Sequence, residues 1–416
     1  MHVRSAWMVV LGIGVAACGG GVAPEEVVPV RRAARATRTG LEVLLGDSAA
    51  LVAGKRVGLV TNQSGVDATG VSGVDRLRSA GIALVALFSP EHGFRGNAEA
   101  GEAVASTVDS ATRLPIYSLY GRNRVPADSV VRSLDVLLVD LQDAGARYYT
   151  YLATTVDVMR AAQSAGRTVV VLDRPNPIGG MVQGNVLDTA WRTDVGLLAI
   201  PMRHGMTLGE LARLARSDLG LTTDLRVVPV GHWRRRETFD QTKLPFIPPS
   251  PNLRTLEALF HYPGTCLFEG TALSVGRGTE AAFEQIGAPW LDTAAVLRRI
   301  RKARLAGVEF TNVTFTPRRP GDGKFADSLL RGIRLHVTDR RRYDPTATAV
   351  HLLAAIQAVH PDRIGFLVRS FDRLAGSDRL RSAILAGTLP AKILKEWESE
   401  RTAFMERRKS FLIYPE

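Results

Sequence analysis

In the first half of the chain, short apolar runs rich in β-branched residues alternate with longer segments whose apolar positions recur at helical spacing. The runs predict strands over Val57–Val60, Ala83–Phe88, Val136–Val139, Thr168–Leu172 and Leu225–Val230, and the segments predict helices over Gly73–Ala80, Thr150–Ala165 and Thr207–Leu219. Strands that are apolar along their whole length are typically buried on both faces of a parallel sheet. We therefore expect an α/β fold with a Rossmann-like, mostly parallel sheet and helices on both faces.

The pattern changes towards the C-terminus. Residues 243–289 are rich in proline and glycine, which predicts a long loop region of the kind that is often functional inside a compact chain. Beyond Trp290 the pattern predicts helices over Thr293–Ala306, Thr346–Val359 and Ala391–Arg408, with extended runs over Val308–Pro317 and Arg331–Thr338. We expect a Rossmann-like domain over residues 41–285 and a smaller C-terminal α+β auxiliary domain over residues 286–416.

The first eighteen residues have the pattern of an export signal. Arg4 precedes the apolar stretch Ala6–Ala17, which is too short to span a bilayer as a mature helix and ends beside Cys18 in a sequence that resembles a bacterial lipobox. We expect a lipoprotein signal peptide over residues 1–18, acylation of Cys18, and a tether over residues 19–40. The protein would then be exported across the inner membrane and anchored by lipid in the bacterial envelope, facing the periplasm or the cell surface. The alternative is a plain secretory signal in which Cys18 is incidental.

Composition excludes several classes of function. The 416-residue chain carries a formal net charge of +12, but neither an aromatic stacking platform nor a nucleic-acid reading motif accompanies its arginines, so we expect no nucleic-acid partner. Apart from Cys18 the only cysteine is Cys266, and no His/Cys cluster has metal-ligand spacing, so we expect no metal site. The sequence also lacks a Gly-x-Gly-x-x-Gly turn after the first strand and a Walker-type loop, and we therefore expect no cofactor.

Four of the predicted strands end in polar segments: Thr61–Ser64, Ser89–Gly96, Asp140–Asp143 and Asp173–Asn176. In open α/β sheets, ligands bind beyond the carboxyl ends of the strands, so these segments predict an active site at that edge.

Glu91 is the strongest candidate for chemistry. It follows Pro90 on a turn that Gly93 allows to be tight, and a carboxyl group in that place can serve as a general acid. The alternative is a capping or ion-paired glutamate beside a surface His92.

The segment Asp140–Tyr151 combines carboxylates, an amide, an arginine and three tyrosines. Sugar sites need this mixture, because planar polar groups bind hydroxyls and aromatic rings cover the apolar side of the sugar. Alternatively, the tyrosines pack against the start of a helix that Asp140 or Asp143 caps. One or two of four arginines are expected to bind a substrate carboxylate, and the candidates are Arg147, Arg174, Arg203 and Arg277. In the absence of a serine-nucleophile elbow, these residue types favour glycoside hydrolysis.

At these residues the chain resembles a bacterial family of exo-β-N-acetylmuramidases of the NamZ type, previously known only as a domain of unknown function. The matching blocks are Gly58–Gly65, Phe88–Gly96, Val139–Tyr151, Leu172–Gly180, Pro201–Met206, Pro249–Leu253, Tyr262–Thr271, Gly276–Glu280 and Ile286–Trp290. The resemblance spans Leu41 to the C-terminus. It implies a Rossmann-like catalytic domain, a C-terminal auxiliary domain and a site in the cleft between them.

The resemblance also implies release of N-acetylmuramic acid from the non-reducing end of peptidoglycan fragments, so the expected partners are muropeptides or disaccharides. It places the family's catalytic glutamate on Glu91. The expected catalytic residues are Glu91, His92, Asp140 and Asp143. The expected substrate-binding residues are Asn62, Gln63, Arg95, Gln142, Arg147, Tyr148, Tyr151, Arg174, Asn176, His204, Asn252, Glu269, Arg277 and Glu280. The alternatives are a non-catalytic lipoprotein that binds muropeptides, or a related amino-sugar or cell-wall hydrolase.

Overall fold

The apolar runs of the first half form a parallel sheet in a computed structural model, which describes residues 36–121 and 124–416. In chain order the strands of this part are β1 (Arg56–Thr61), β2 (Ala83–Ser89), β3 (Thr107–Val108), β4 (Pro115–Ser118), β5 (Val136–Asp140), β6 (Thr168–Leu172), β7 (Gln183–Val186), β8 (Pro201–Arg203) and β9 (Leu225–Val228). The main sheet has seven strands in the order β3-β4-β2-β1-β5-β6-β9. Only the edge pair β3–β4 is antiparallel among the described pairs of this sheet. β7 and β8 form a separate antiparallel ribbon.

Helices cover the sheet on both faces, among them α1 (Gly40–Asp47), α2 (Gly73–Ser79), α4 (Tyr151–Ala165) and α5 (Leu208–Asp218). The other helices of this part are α3 (Asp128–Arg132), α6 (Phe239–Thr242) and α7 (Leu256–Thr265). Alternate residues of β5 enter different cores: Val136 and Leu138 pack in the core that contains residues of α1 and α2, whereas Leu137 and Val139 pack in the core that contains residues of α4 and α5. This alternation follows from the two-residue period of a strand, and it confirms the predicted α/β class.

The C-terminal part adds an antiparallel sheet of β10 (Gln285–Ala288), β11 (Val308–Phe315) and β12 (Leu330–Val337), with β12 in the centre. Its helices are α8 (Thr293–Lys302), α9 (Pro345–Val359), α10 (Val368–Ala375), α11 (Arg379–Leu385), α12 (Pro390–Glu396) and α13 (Glu398–Arg408). This mixture of helices and an antiparallel sheet confirms the predicted smaller α+β region. The core beside α4 and α5 continues into it through residues such as Ile333 and Leu353. The predicted boundary between residues 285 and 286 stays a prediction.

Several predicted elements differ from the structure. The loop predicted over residues 243–289 contains α7, which ends two residues after Pro263 and is stabilised by burial of its apolar residues and by a Thr255 side-chain cap on the backbone N–H of Ala258. The single helix predicted over Ala391–Arg408 is divided into α12 and α13, which meet at Trp397. The sequence prediction also missed β4 and the helices α10 and α11, because short elements carry too little periodicity.

The last residues of the predicted tether belong to the folded part. Arg38 exchanges backbone hydrogen bonds with Gly231 at 2.9 and 2.8 Å, and Thr39 forms a capping box with Glu42 at the start of α1. The tether prediction therefore fails for residues 36–40, whereas residues 1–35, with Cys18, lie outside the described residues. Within the part that the structure describes, no helix is long and apolar enough to cross a membrane.

Candidate active site

Glu91 lies just beyond the carboxyl end of β2 and is 8% exposed. Its Oε2 accepts a hydrogen bond from the Thr150 hydroxyl at 2.6 Å, and its Oε1 accepts one from the backbone N–H of Gly101 at 3.2 Å. Thr150 immediately precedes α4, so the ends of β2 and of the loop after β5 meet at this carboxyl group. These two contacts hold the side chain in one orientation.

His92 occupies a left-handed backbone conformation with φ of 72°, which is unusual for a residue with a side chain. Its Nδ1 lies 2.8 Å from the carbonyl oxygen of Ala98, so the ring is fixed by the loop that follows β2. Burial lowers the pKa of His92, although the neighbouring Glu91 charge acts in the opposite direction. The imidazole is therefore neutral at neutral pH, and its Nδ1–H donates to Ala98.

Tyr120 is the third titratable group at this point. Burial, the negative charge of Glu91 and a hydrogen bond with the same carboxylate raise the pKa of the Tyr120 hydroxyl. The phenol therefore keeps its proton at all physiological pH values and acts as a donor towards Glu91. Tyr120 was not predicted from the sequence because β4, the strand that ends two residues before it, is too short to give a clear pattern.

Glu91, His92 and Tyr120 open on a cavity of about 400 Å³, large enough for a small ligand. Its lining includes aromatic side chains and charged side chains. Its aromatic wall contains Tyr148, Tyr149, Tyr262 and Phe283, whose rings meet edge to face. Its other charged residues are Asp194, Glu269, Arg277, Asp322 and Arg373. The residues range from the end of β2 to α10, so the main sheet and the C-terminal region both contribute to the cavity.

The far wall contains an ion-pair cluster. Arg277 lies over the Phe283 ring, with its Nε 2.5 Å from Glu269 Oε1 and its Nη1 3.9 Å from Glu99 Oε2. Asn252 donates to the same Glu99 oxygen at 2.8 Å. Of the residues predicted for this region, Glu269 and Arg277 line the cavity, whereas Asn252 does not and instead contacts Glu99, a residue that was not predicted.

Asp140 and Arg174 do not line the cavity, contrary to expectation. Arg174 donates to both oxygens of Asp140, at 2.6 and 3.0 Å, and to the carbonyl oxygen of Val66 at 2.8 Å. Both side chains are buried, and the gap beside Arg174 holds only about 10 Å³, which suits at most a water molecule. The pair joins the ends of strands β5 and β6, and its charges are already neutralised.

Asp143 and His204 do not line the cavity either. Asp143 Oδ1 accepts the backbone N–H of Gly145 at 2.6 Å and lies 3.6 Å from His204 Nε2. The amide side chains of Gln142 and Asn176 donate to backbone carbonyl oxygens at 2.9 Å. These four side chains satisfy buried backbone groups, which explains why they are polar. Asp140 and Asp143, which were expected to be catalytic, therefore lie outside the cavity lining, and their catalytic role stays a prediction.

Arg147 is buried and donates to three backbone carbonyl oxygens, those of Asn185, Ile200 and Leu374, at 2.9 to 3.1 Å. Neither Arg147 nor Arg174 is part of the cavity lining, so the structure does not place either arginine where it was expected to bind a substrate carboxylate. Arg203 is fully buried and donates to the side chain of Gln183, so Arg277 alone of the four candidate arginines lines the cavity.

The other predicted residues hold loops in place. Asn62 donates to the Tyr151 hydroxyl at 2.6 Å, and Tyr151 and Gln63 in turn donate to the carbonyl oxygens of Pro249 and Pro248. The proline-rich segment is thereby bound to the end of β1.

Two predicted residues lie in ion pairs outside the cavity. Arg95 pairs with Asp109 at 3.4 Å, and Glu280 pairs with Arg254 at 2.7 Å. Neither residue is part of the cavity lining.

Comparison with known proteins identifies the family. Models described as "Exo-beta-N-acetylmuramidase NamZ", N-terminal and C-terminal, match residues 57–257 and 260–414. The chain is 42% identical over 380 residues to the peptidoglycan β-N-acetylmuramidase NamZ of Bacillus subtilis (strain 168), and the matched region covers 91% of each of the two chains.

Two crystal structures of DUF1343 family proteins from Bacteroides fragilis NCTC 9343 have the same fold. Their TM-scores are 0.84 and 0.74 at 31% and 33% identity, and each covers 91% of this chain and 99% of its own. The chain therefore belongs to the NamZ family of exo-β-N-acetylmuramidases.

Proposed function

We propose that this protein is an exo-acting glycosidase that releases β-linked N-acetylmuramic acid from the non-reducing end of peptidoglycan fragments. The observation that carries the proposal is the oriented Glu91 carboxyl group at the opening of a sugar-sized cavity with an aromatic wall. The names of the family models and of the 42%-identical relative from Bacillus subtilis support the same reaction.

In this proposal Glu91 is the general acid. It donates its proton to the glycosidic oxygen while the bond from that oxygen to the anomeric carbon breaks, and a water molecule then adds to the anomeric carbon. Thr150 and the backbone of Gly101 keep the carboxyl group oriented towards the cavity. The water's proton passes to a second carboxylate, and the candidates that line the cavity with Glu91 are Asp194, Glu269 and Asp322.

The decisive experiment compares Glu91→Gln with the wild type on a chromogenic glycoside of N-acetylmuramic acid. Loss of a general acid lowers kcat by about 10²- to 10⁴-fold, and circular dichroism should be unchanged. Glu102→Gln is the matched control, because Glu102 lies on the same loop, is exposed and does not line the cavity. Wild-type turnover by Glu91→Gln would remove Glu91 from the chemistry. Failure of the wild type to release the monosaccharide from peptidoglycan fragments, measured by mass spectrometry, would refute the proposed function.

We also propose that the protein is exported and anchored in the envelope by acylation of Cys18. The support is the sequence alone, namely Arg4, the apolar stretch Ala6–Ala17 and the small residues before Cys18. Mass spectrometry of the mature N-terminus and membrane fractionation of Cys18→Ser test the anchor. An unmodified cysteine or an unchanged fractionation would contradict it.

A further inference from the structure

The cavity contains two arginines in different electrostatic situations. Arg277 is paired with Glu269 and lies near Glu99, so its charge is already compensated. Arg373 lines the same cavity from α10, is exposed, and has no hydrogen-bonded partner and no carboxylate within 4.0 Å among the residues that the structure describes. Nearby Lys324 is occupied by the carbonyl oxygens of Phe268, Glu269 and Leu273. Arg373 therefore supplies the uncompensated positive charge of the lining.

The backbone around Arg373 is held firmly. The carbonyl oxygen of Leu374 accepts a hydrogen bond from Arg147 at 2.9 Å, and that of Ala375 accepts one from Asn185 at 2.8 Å. On the other side, Asp372 forms a two-point ion pair with Arg381, with both contacts at 2.8 Å. Both neighbours of Arg373 are thus fixed in the protein, while its own guanidinium faces the cavity. A charged group on a fixed support is suited to binding a ligand of opposite charge at a defined place.

We propose that Arg373 binds a carboxylate carried by the sugar in the cavity. The inference rests on the proposed function, because N-acetylmuramic acid has a lactyl carboxylate that N-acetylglucosamine lacks. A planar guanidinium binds both oxygens of a carboxylate through parallel hydrogen bonds. Arg373 is then a specificity-determining residue from the C-terminal region, whereas the proton donor comes from the main sheet.

The test measures kcat and KM of the wild type and Arg373→Gln on matched chromogenic glycosides of N-acetylmuramic acid and N-acetylglucosamine. Loss of one charge-assisted, two-point contact should reduce kcat/KM on the muramic acid glycoside by about 10- to 100-fold, mainly through KM. Activity on the glucosamine glycoside should not fall. Arg373→Lys keeps the charge without the fork and should recover part of the loss. Arg369→Gln is the matched control, since Arg369 is an exposed arginine one turn earlier on α10 and does not line the cavity.

A binding measurement separates this inference from the proposed function. Calorimetry with Glu91→Gln should show tighter binding of N-acetylmuramic acid than of its methyl ester, and the additional Arg373→Gln replacement should abolish that difference. An active wild type whose preference survives Arg373→Gln, or an equal loss on both glycosides, would overturn the role of Arg373 and leave the proposed function intact. A wild type inactive on both glycosides would overturn the proposed function itself.

Discussion

Two groups of buried or half-buried polar side chains in this protein differ in whether they border the cavity. The first, which we call the strand-end network, consists of Asp140, Asp143, Asp173, Arg174 and His204. The second, the cavity group, consists of Glu91, His92, Tyr120, Glu269 and Arg277. Both contain carboxylates beside cationic or imidazole groups, and both are largely buried.

The two groups differ in whether a ligand in the cavity can reach their side chains. In the strand-end network the partners of each charge are protein groups, as in the two-point pair of Asp140 and Arg174. In the cavity group, Glu91 is held by protein donors and still borders a cavity of about 400 Å³. Residue type and position at a strand end therefore do not reveal which carboxylate is enclosed by protein groups and which borders a cavity.

The largest expected effect in the strand-end network is the loss of stability caused by Asp140→Asn. Removal of one partner of a buried ion pair leaves Arg174 uncompensated, which should lower the free energy of unfolding by about 3–5 kcal/mol. The kcat of the folded fraction should change little, because Asp140 does not line the cavity. Urea denaturation and assays at low temperature measure the two effects. Glu91→Gln serves as the reciprocal control, with lost activity and retained stability. A stable but inactive Asp140→Asn would place Asp140 in the chemistry.

The raised pKa of Asp173, which also belongs to the strand-end network, predicts that stability depends on pH. Burial raises its pKa from an ordinary value of 3.8 to about 6, against the opposing effect of hydrogen bonds from the Thr207 and Tyr414 hydroxyls and the Gly209 N–H. Between these pH values the folded state binds more protons than the unfolded state, so the free energy of unfolding falls as pH rises from about 4 to 6. The shift corresponds to roughly 3 kcal/mol.

Urea titrations across this pH range should show a smaller fall in Asp173→Asn than in the wild type. Asp135 provides a control, because its pKa is shifted in the opposite direction. It lies before β5, and its bond from the backbone of Arg56 lowers its pKa, so its contribution to stability is lost as pH falls. An identical pH profile for the wild type and Asp173→Asn would contradict the assignment.

The smallest expected effect is that of Tyr120→Phe in the cavity group. Loss of one hydrogen bond to the Glu91 carboxylate should lower kcat about tenfold, with KM and stability little changed. Tyr117→Phe is the matched control, because Tyr117 packs on Phe88 and does not line the cavity. If both variants lose activity equally, the effect comes from the packing of β4 rather than from the Tyr120 hydroxyl.

Local sequence patterns were enough to predict the parallel sheet, the principal helices and the place of Glu91 just beyond the end of a strand. Local patterns are sufficient there: apolar runs such as Thr168–Leu172 are buried on both faces, and a glutamate between proline and glycine at a strand end is a local feature. The same local patterns predicted that Asp140, Arg147 and Arg174 would contact the substrate, whereas the structure pairs them with protein groups. A polar segment after a strand does not show which of its side chains will form hydrogen bonds within the protein.

The hydrogen-bonding partners of these side chains became visible only in the tertiary structure. Arg147 donates to carbonyl oxygens of distant segments, including that of Leu374. The cavity is lined by Tyr120, which lies two residues after a four-residue strand, and by Arg373, from a short helix that the sequence pattern did not predict. Whether a polar side chain is structural or faces a ligand depends on contacts between residues far apart in sequence. Such contacts leave no periodic signal in the chain, because they arise only when the two halves pack against each other.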